Sequence, residues 1–111
     1  MRPSILMAAL IAALSIIPLT ARAANSVPKF DIAKNCKADL TVNTGSGETL
    51  DSCTRDEEAA RNQLTPQWNK FRQEDKIFCI REAGLDGTPS YVELQTCLEM
   101  ATQRAPIKDK Q

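Results

Sequence analysis

Residues 50–83, LDSCTRDEEAARNQLTPQWNKFRQEDKIFCIREA, decide the fold class. Ala60, Leu64, Trp68, Phe71 and Phe78, with Ile77 alongside, recur at spacings of three, four and seven. That period puts them on one face of an amphipathic helical region. Thr54-Arg55-Asp56-Glu57 has the spacing of a capping box, in which the threonine oxygen accepts an early amide and the glutamate reaches back. Asp56, Glu57 and Glu58 suit the positive end of the helix dipole. Pro66 removes one backbone hydrogen bond and pushes Thr65 out of helical geometry. The stripe keeps phase across it, so the expectation is a kink or two abutting helices, with Thr65 as cap and Pro66 in the first position.

On the C-terminal side, Gly84 marks a helix end, since glycine takes the left-handed conformation that closes one. Leu85-Asp86-Gly87 reads as the turn. Ser90-Tyr91-Val92-Glu93 offers a second capping box, and Thr88 as cap with Pro89 in the first turn fits nearly as well. The last helix then carries Tyr91, Leu94, Cys97, Leu98 and Ala101 on one side, fades by Pro106 and leaves a frayed tail over 106–111. On the N-terminal side, residues 41–47, with Asn43, Gly45, Ser46 and Gly47, form the clearest loop. Before it, Pro28 suits the first turn of a short helix reaching Lys37, with Phe30, Ala33 and Lys37 on one face and Ile32 and Cys36 beside it. No internal repeat and no convincingly alternating run appears. The reading is all-α: a small bundle of three to four helices.

The first residues point to export. Arg2 precedes an apolar run from Ile5 to Leu19, and Ala21-Arg22-Ala23 matches the small-x-small pattern that signal peptidase admits. The run is about 15 residues, short of the roughly 20 that a membrane span needs. The expectation is a cleavable signal peptide over 1–23, cut after Ala23 or Ala24, ahead of a helical domain over 24–105. No cysteine lies near the cut to carry a lipid. Removing 1–23 takes Arg2 and Arg22 and no acid, so the 14 basic and 14 acidic groups become 12 and 14, net −2, in 88 residues. That balance offers no basic face for nucleic acid. No second apolar stretch approaches a span, so the mature form is expected to be soluble and periplasmic or secreted.

Cys36, Cys53, Cys79 and Cys97 all lie in the mature part. An even count in a small exported chain reads as two disulfides, each able to stabilise it by about 2–4 kcal/mol. Were residues 53–79 one helix, Cys53 and Cys79 would stand about 39 Å apart, far beyond the roughly 7 Å that a bridge tolerates. The loop at 41–47 lets Cys36 meet Cys53, and the turn at 84–89 lets Cys79 meet Cys97, so these pairs are favoured. Cys36–Cys97 with Cys53–Cys79 requires a hairpin at Pro66. Cys36–Cys79 with Cys53–Cys97 requires a compact bundle.

Catalytic and metal chemistry find little support. Intervening gaps of 16, 25 and 17 residues lack the close pairs of structural zinc sites. Cys-x-x-Cys, needed for a thioredoxin-like centre or covalent haem, is absent, as are twin Cys-x9-Cys motifs. With no histidine, the commonest general base and its triads are missing. Glu57, Glu58, Glu74, Asp75 and Glu93 are candidates for carboxylate chemistry by residue type alone, and acids on amphipathic helices are usually solvated. Asp39, Thr41, Asn43 and Gly45 resemble a calcium loop, but position six is Thr44 and position twelve Leu50. Trp68 and Tyr91, each unique, are read as core, with the tyrosine hydroxyl reaching the rim, and Met100 as packing. No catalytic residue, metal ligand or cofactor is assigned.

The runs Ser52 to Glu58, Trp68 to Cys79, Gly87 to Leu94 and Thr96 to Met100 together resemble small exported cysteine-containing proteins of rhizobial-type alphaproteobacteria. That resemblance covers most of the mature chain, implies a bacterial periplasm and transfers no activity. A more distant likeness is to lysozyme inhibitors of the LprI type, small exported helical proteins with cysteines flanking a long amphipathic segment. Only the layout matches, Cys53 and Cys79 enclosing an alanine, leucine and tryptophan stripe, and no inhibitory residue carries over. The functional expectation is a non-enzymatic binding or structural protein, its partner an envelope protein or a small ligand. Inhibition of a cell-wall hydrolase is the sharper alternative, and a carboxylate-dependent enzyme the competing one.

Overall fold

A computed structural model describes residues 25–108, so the expected signal peptide over 1–23 lies outside the described residues. Four α-helices follow one another: α1, Ile32–Val42; α2, Leu50–Gln67; α3, Gln73–Ala83; and α4, Tyr91–Lys108, with a 3-10 turn at Trp68–Lys70 between α2 and α3. There is no strand among the described residues, and the all-α reading holds. Helix α4 packs against both α2 and α3, and α1 packs against α2. The core is Ala60, Leu64 and Trp68 from the second helical region, Cys79 and Ala83 from α3, and Tyr91, Leu94 and Leu98 from α4. Disulfides join Cys36 to Cys53 and Cys79 to Cys97, with Cα atoms 5.7 and 5.6 Å apart. These are the favoured pairs, and each closes one helical hairpin.

Several boundaries differ from the sequence reading, each for a local reason. Helix α1 begins at Ile32, not Pro28, because the Asp31 carboxyl caps it by accepting from the Lys34 amide at 3.0 Å. It also runs past Lys37 to Val42, into the expected loop, and it buries Asn35 and Cys36 while Ala33 and Lys37 stay exposed. Helix α2 starts at Leu50, where the helical region was expected to begin, but its cap is Thr49 and not the Thr54 box. Thr49 Oγ1 accepts from the Ser52 amide at 3.1 Å, and Ser52 Oγ accepts from the Thr49 amide at 2.9 Å. Inside the helix, the Thr54 hydroxyl donates to the Leu50 carbonyl at 2.7 Å.

The break between the two long segments falls five residues after Pro66. That proline lies within α2, and Thr65 is no cap: its hydroxyl donates to the Arg61 carbonyl at 2.9 Å. Asn62, whose carbonyl loses its amide partner to the proline ring, is exposed and can turn to water. The chain leaves the helix at Phe71, which is extended at φ −79° and ψ 146°. This break resets the helical phase. The inward positions of α3 become Lys76, Cys79 and Ala83, and the expected core residues Ile77 and Phe78 turn outward, 41% and 50% exposed.

Gly84 caps α3 as expected, but with φ −107°; the left-handed conformation belongs to Gly87, at φ +83°. Helix α4 presents Tyr91, Leu94 and Leu98 inward, with Cys97 and Ala101 partly buried. It continues past Pro106 to Lys108 rather than fading there, since proline's fixed φ is compatible with a helix and its cost is one missing donor. Met100 does not pack in the core; it is 53% exposed.

Candidate functional site: an acidic cleft

The start of α4 is organised by a residue of α2. Glu57 precedes Ala60 by three and Leu64 by seven, so it falls on the buried stripe, and it is only 4% exposed. Its two carboxyl oxygens accept from Ser90 Oγ and from the Tyr91 amide, both at 2.6 Å. Ser90 Oγ in turn accepts from the Glu93 amide at 3.2 Å, the N-cap half of the expected box. Glu57 adds a second acceptor from outside the helix, at the Tyr91 amide one residue beyond the cap. An acid at a helix N-terminus is favoured by the unpaired amides and by the dipole. Helix α1 is tied to the same corner by Asn35, whose side-chain amide donates to the Thr88 carbonyl at 2.8 Å. Tyr91 is buried and its hydroxyl reaches outward, accepting from the Phe30 amide at 2.8 Å and donating to the Pro28 carbonyl at 2.7 Å. Its ring packs 4.7 Å from that of Phe30.

Over this corner lies an open cleft of about 610 Å³ between α1, the start of α2 and the turn before α4. Six acids line it: Asp39, Glu48, Asp56, Glu57, Asp86 and Glu93. No lysine or arginine does. Like charges crowded together resist ionisation. Glu48 is held above the ordinary carboxylate value of 4.5, first by a hydrogen bond with Asp39 that favours its protonated form, then by desolvation and by the charges of Asp39, Asp56 and Glu57. Glu93 is raised by desolvation first, and then by the charges of Asp86, Glu57 and Asp39.

Of the five acids singled out as chemical candidates, the structure brings Glu57 and Glu93 to this cleft. Glu58 and Glu74 are exposed elsewhere, and Asp75 is not among the lining residues. Glu57 is committed to two hydrogen bonds within the fold. Asp39, Glu48, Asp56 and Asp86 were missed, because only the tertiary fold brings the end of α1 and the start of α2 beside the turn at 84–90. The position of Glu57 on the apolar stripe is the signal that could have marked it. Asp39, Glu48 and Cys53 place potential ligand atoms within 4.8 Å of one another, but the Cys53 sulfur is bonded to Cys36, leaving two carboxyls rather than a metal-binding set. Asp39, the first residue of the calcium-loop likeness that the sequence already fails, lies within α1 and accepts from the Asn43 side chain at 2.6 Å.

Trp68 is buried as expected, and the Lys76 ammonium sits 5.3 Å from its ring centroid, a cation–π placement. Among the described residues no helix is long and apolar enough to cross a membrane. No family model, curated protein or solved structure matches the chain. The fold and the site define a small all-α protein with two disulfide-closed hairpins and an acidic cleft.

Proposed function

We propose that this chain is exported by its N-terminal segment and acts in the periplasm, or outside the cell, as a non-enzymatic binding protein. Its acidic cleft is the binding surface, and its partner is a positively charged region of an envelope protein. One observation carries this reading: six acids share a cleft whose lining holds no cation. Hydrogen bonding with Asp39 first raises Glu48 and desolvation first raises Glu93, and the neighbouring acids add repulsion at both; a ligand bringing positive charge relieves that added repulsion. The two disulfides suit an oxidising compartment. Against carboxylate catalysis stand the openness of the cleft and the structural commitment of Glu57, since tuning one acid against another takes a partly dry pocket. Inhibition of a cell-wall hydrolase is the narrower form of the same proposal, favoured if that hydrolase presents a basic surface.

The test is titration of the full chain, expressed with its disulfides oxidised, with a short lysine peptide at several salt concentrations. Binding that weakens with salt and is lost in Asp39→Asn/Asp56→Asn supports the proposal. Absence of binding at low salt, or binding indifferent to that double substitution, contradicts it. For the export half, the intact mass of the protein recovered outside the cytoplasm should correspond to a chain beginning at Ala24. A mass retaining residues 1–23 contradicts cleavage.

A further inference from the structure

The phase reset at Phe71 leaves an apolar surface uncovered. Phe78 and Met100 are 50% and 53% exposed, and with Val92 and Cys97 they line a groove of about 370 Å³ between α3 and α4. Side chains of this size, gathered on one surface, mark an interaction site more often than scattered single residues do. The groove is not separate from the acidic cleft. Val92 and Glu93 line both depressions, so one ridge at the start of α4 carries the acidic cleft on one flank and the apolar groove on the other. The groove's own charged residues are Glu82, Glu93 and Arg104, which leaves it mildly acidic.

We infer that cleft and groove form one composite docking surface for a cationic amphipathic segment of a partner polypeptide, with lysines or arginines over the cleft and one bulky apolar side chain in the groove beside Phe78 and Met100. Charge selects this occupant. A second copy of the chain, docked by the same groove, would bring its own acidic cleft against the first, and an anionic lipid surface would meet the same repulsion. A neutral apolar peptide would fill the groove and leave the cleft's repulsion unrelieved. The inference rests on the binding role proposed for the acidic cleft and adds the identity of its ligand.

The test uses two peptides of equal length and equal positive charge, one with only polar residues between its lysines and one with a single tryptophan added. Each is titrated into the full oxidised chain and into Phe78→Ser/Met100→Ser, whose changed side chains are half exposed, so that the folded core is kept. The fold of the variant is checked by its helical circular dichroism and its thermal transition. Burying one large apolar side chain corresponds to about tenfold or more in affinity. The expected result is a tryptophan peptide bound at least tenfold tighter than the polar one, with that ratio falling to about one in the double variant. Equal affinities for the two peptides, with both binding, overturn the composite surface and leave the acidic cleft standing. A ratio unchanged in the variant also overturns it. Failure of both peptides to bind overturns the cleft reading and this inference together. A concentration-dependent dimer in sedimentation, abolished by the double substitution, assigns the groove to a second copy and overturns the inference as well.

Discussion

The two hairpins of this protein carry nearly identical staples. Cys36–Cys53 spans a sequence separation of 17 and Cys79–Cys97 one of 18. What surrounds them differs. Cys79 belongs to the central hydrophobic cluster, and the turn that follows α3 is held by Asn35, Glu57 and its own Asp86, which accepts from the Thr88 amide at 3.0 Å. Cys36 and Cys53 lie outside that cluster, α1 buries only Asn35 and Cys36, and the connection at 43–49 is almost wholly exposed. Its Gly45 and Gly47 are left-handed, with nothing within 4 Å of where a Cβ would stand. In the second hairpin the disulfide reinforces packing that already exists. In the first it holds a helix that the core scarcely reaches, and that helix forms one wall of the acidic cleft.

Removing each staple breaks this comparison open. Because the closed loops are almost equal in length, the chain-entropy contribution is about 3 kcal/mol for either, and any difference reports the surroundings. Cys79→Ala/Cys97→Ala should cost about 4 kcal/mol in urea unfolding, the excess coming from lost core contacts. Cys36→Ala/Cys53→Ala should cost the global transition less, about 2 kcal/mol, because α1 opens separately as a local unit. Amide exchange would show this directly, with protection lost across residues 32–42 and kept in α4. Equal global losses, with α1 still protected, would contradict the distinction.

Glu57 links the halves, and Glu57→Ala should destabilise by about 3 kcal/mol, since it strips a buried hydroxyl and a buried amide of their acceptor. The unfolding midpoint measures the loss, and faster exchange at Tyr91 localises it. Tyr91→Phe removes the two hydrogen bonds to Phe30 and Pro28 and keeps the ring contact; about 1 kcal/mol is expected, with the Phe30 amide exchanging freely.

The smallest effect is electrostatic. Glu48 and Glu93 have folded values raised above 4.5, so the folded protein takes up protons at these sites at higher pH than the unfolded chain does. Their contribution is therefore unfavourable at neutral pH and improves as pH falls through the folded values toward 4.5. Glu48→Gln should raise the thermal midpoint slightly at pH 7, with the gain shrinking on acidification. A gain that grows on acidification would reverse the assignment.

How much of this was legible in the sequence follows from the range of each interaction. Leu64 and Trp68, four apart across the end of α2, announce their own burial, and the reach of two short hairpins favours the disulfide pairs that form. Ile77 and Phe78 were misread because periodicity carries no record of a phase reset; Pro66 drew attention to the wrong place, while the extended conformation of Phe71 made the break. Thr54 and Glu57 have the spacing of a capping box, but Thr49 and Ser52 sit where the glycine-rich loop ends and cap first, leaving Glu57 free to bond 33 residues away. The acidic cleft was the least legible feature. Asp39, Glu48 and Asp86 are ordinary surface acids along the chain, and only the packing of α1 on α2 and the tie from Asn35 to Thr88 bring them together.

The central claim, that this cleft is a binding surface, is tested most directly by mapping amide chemical shifts of the oxidised protein as a lysine peptide is added. The shifts should concentrate at Asp39, Glu48, Asp56, Asp86 and Glu93, saturate with the peptide and be suppressed by salt. Saturating shifts elsewhere, or none around these five residues at low salt, would contradict it.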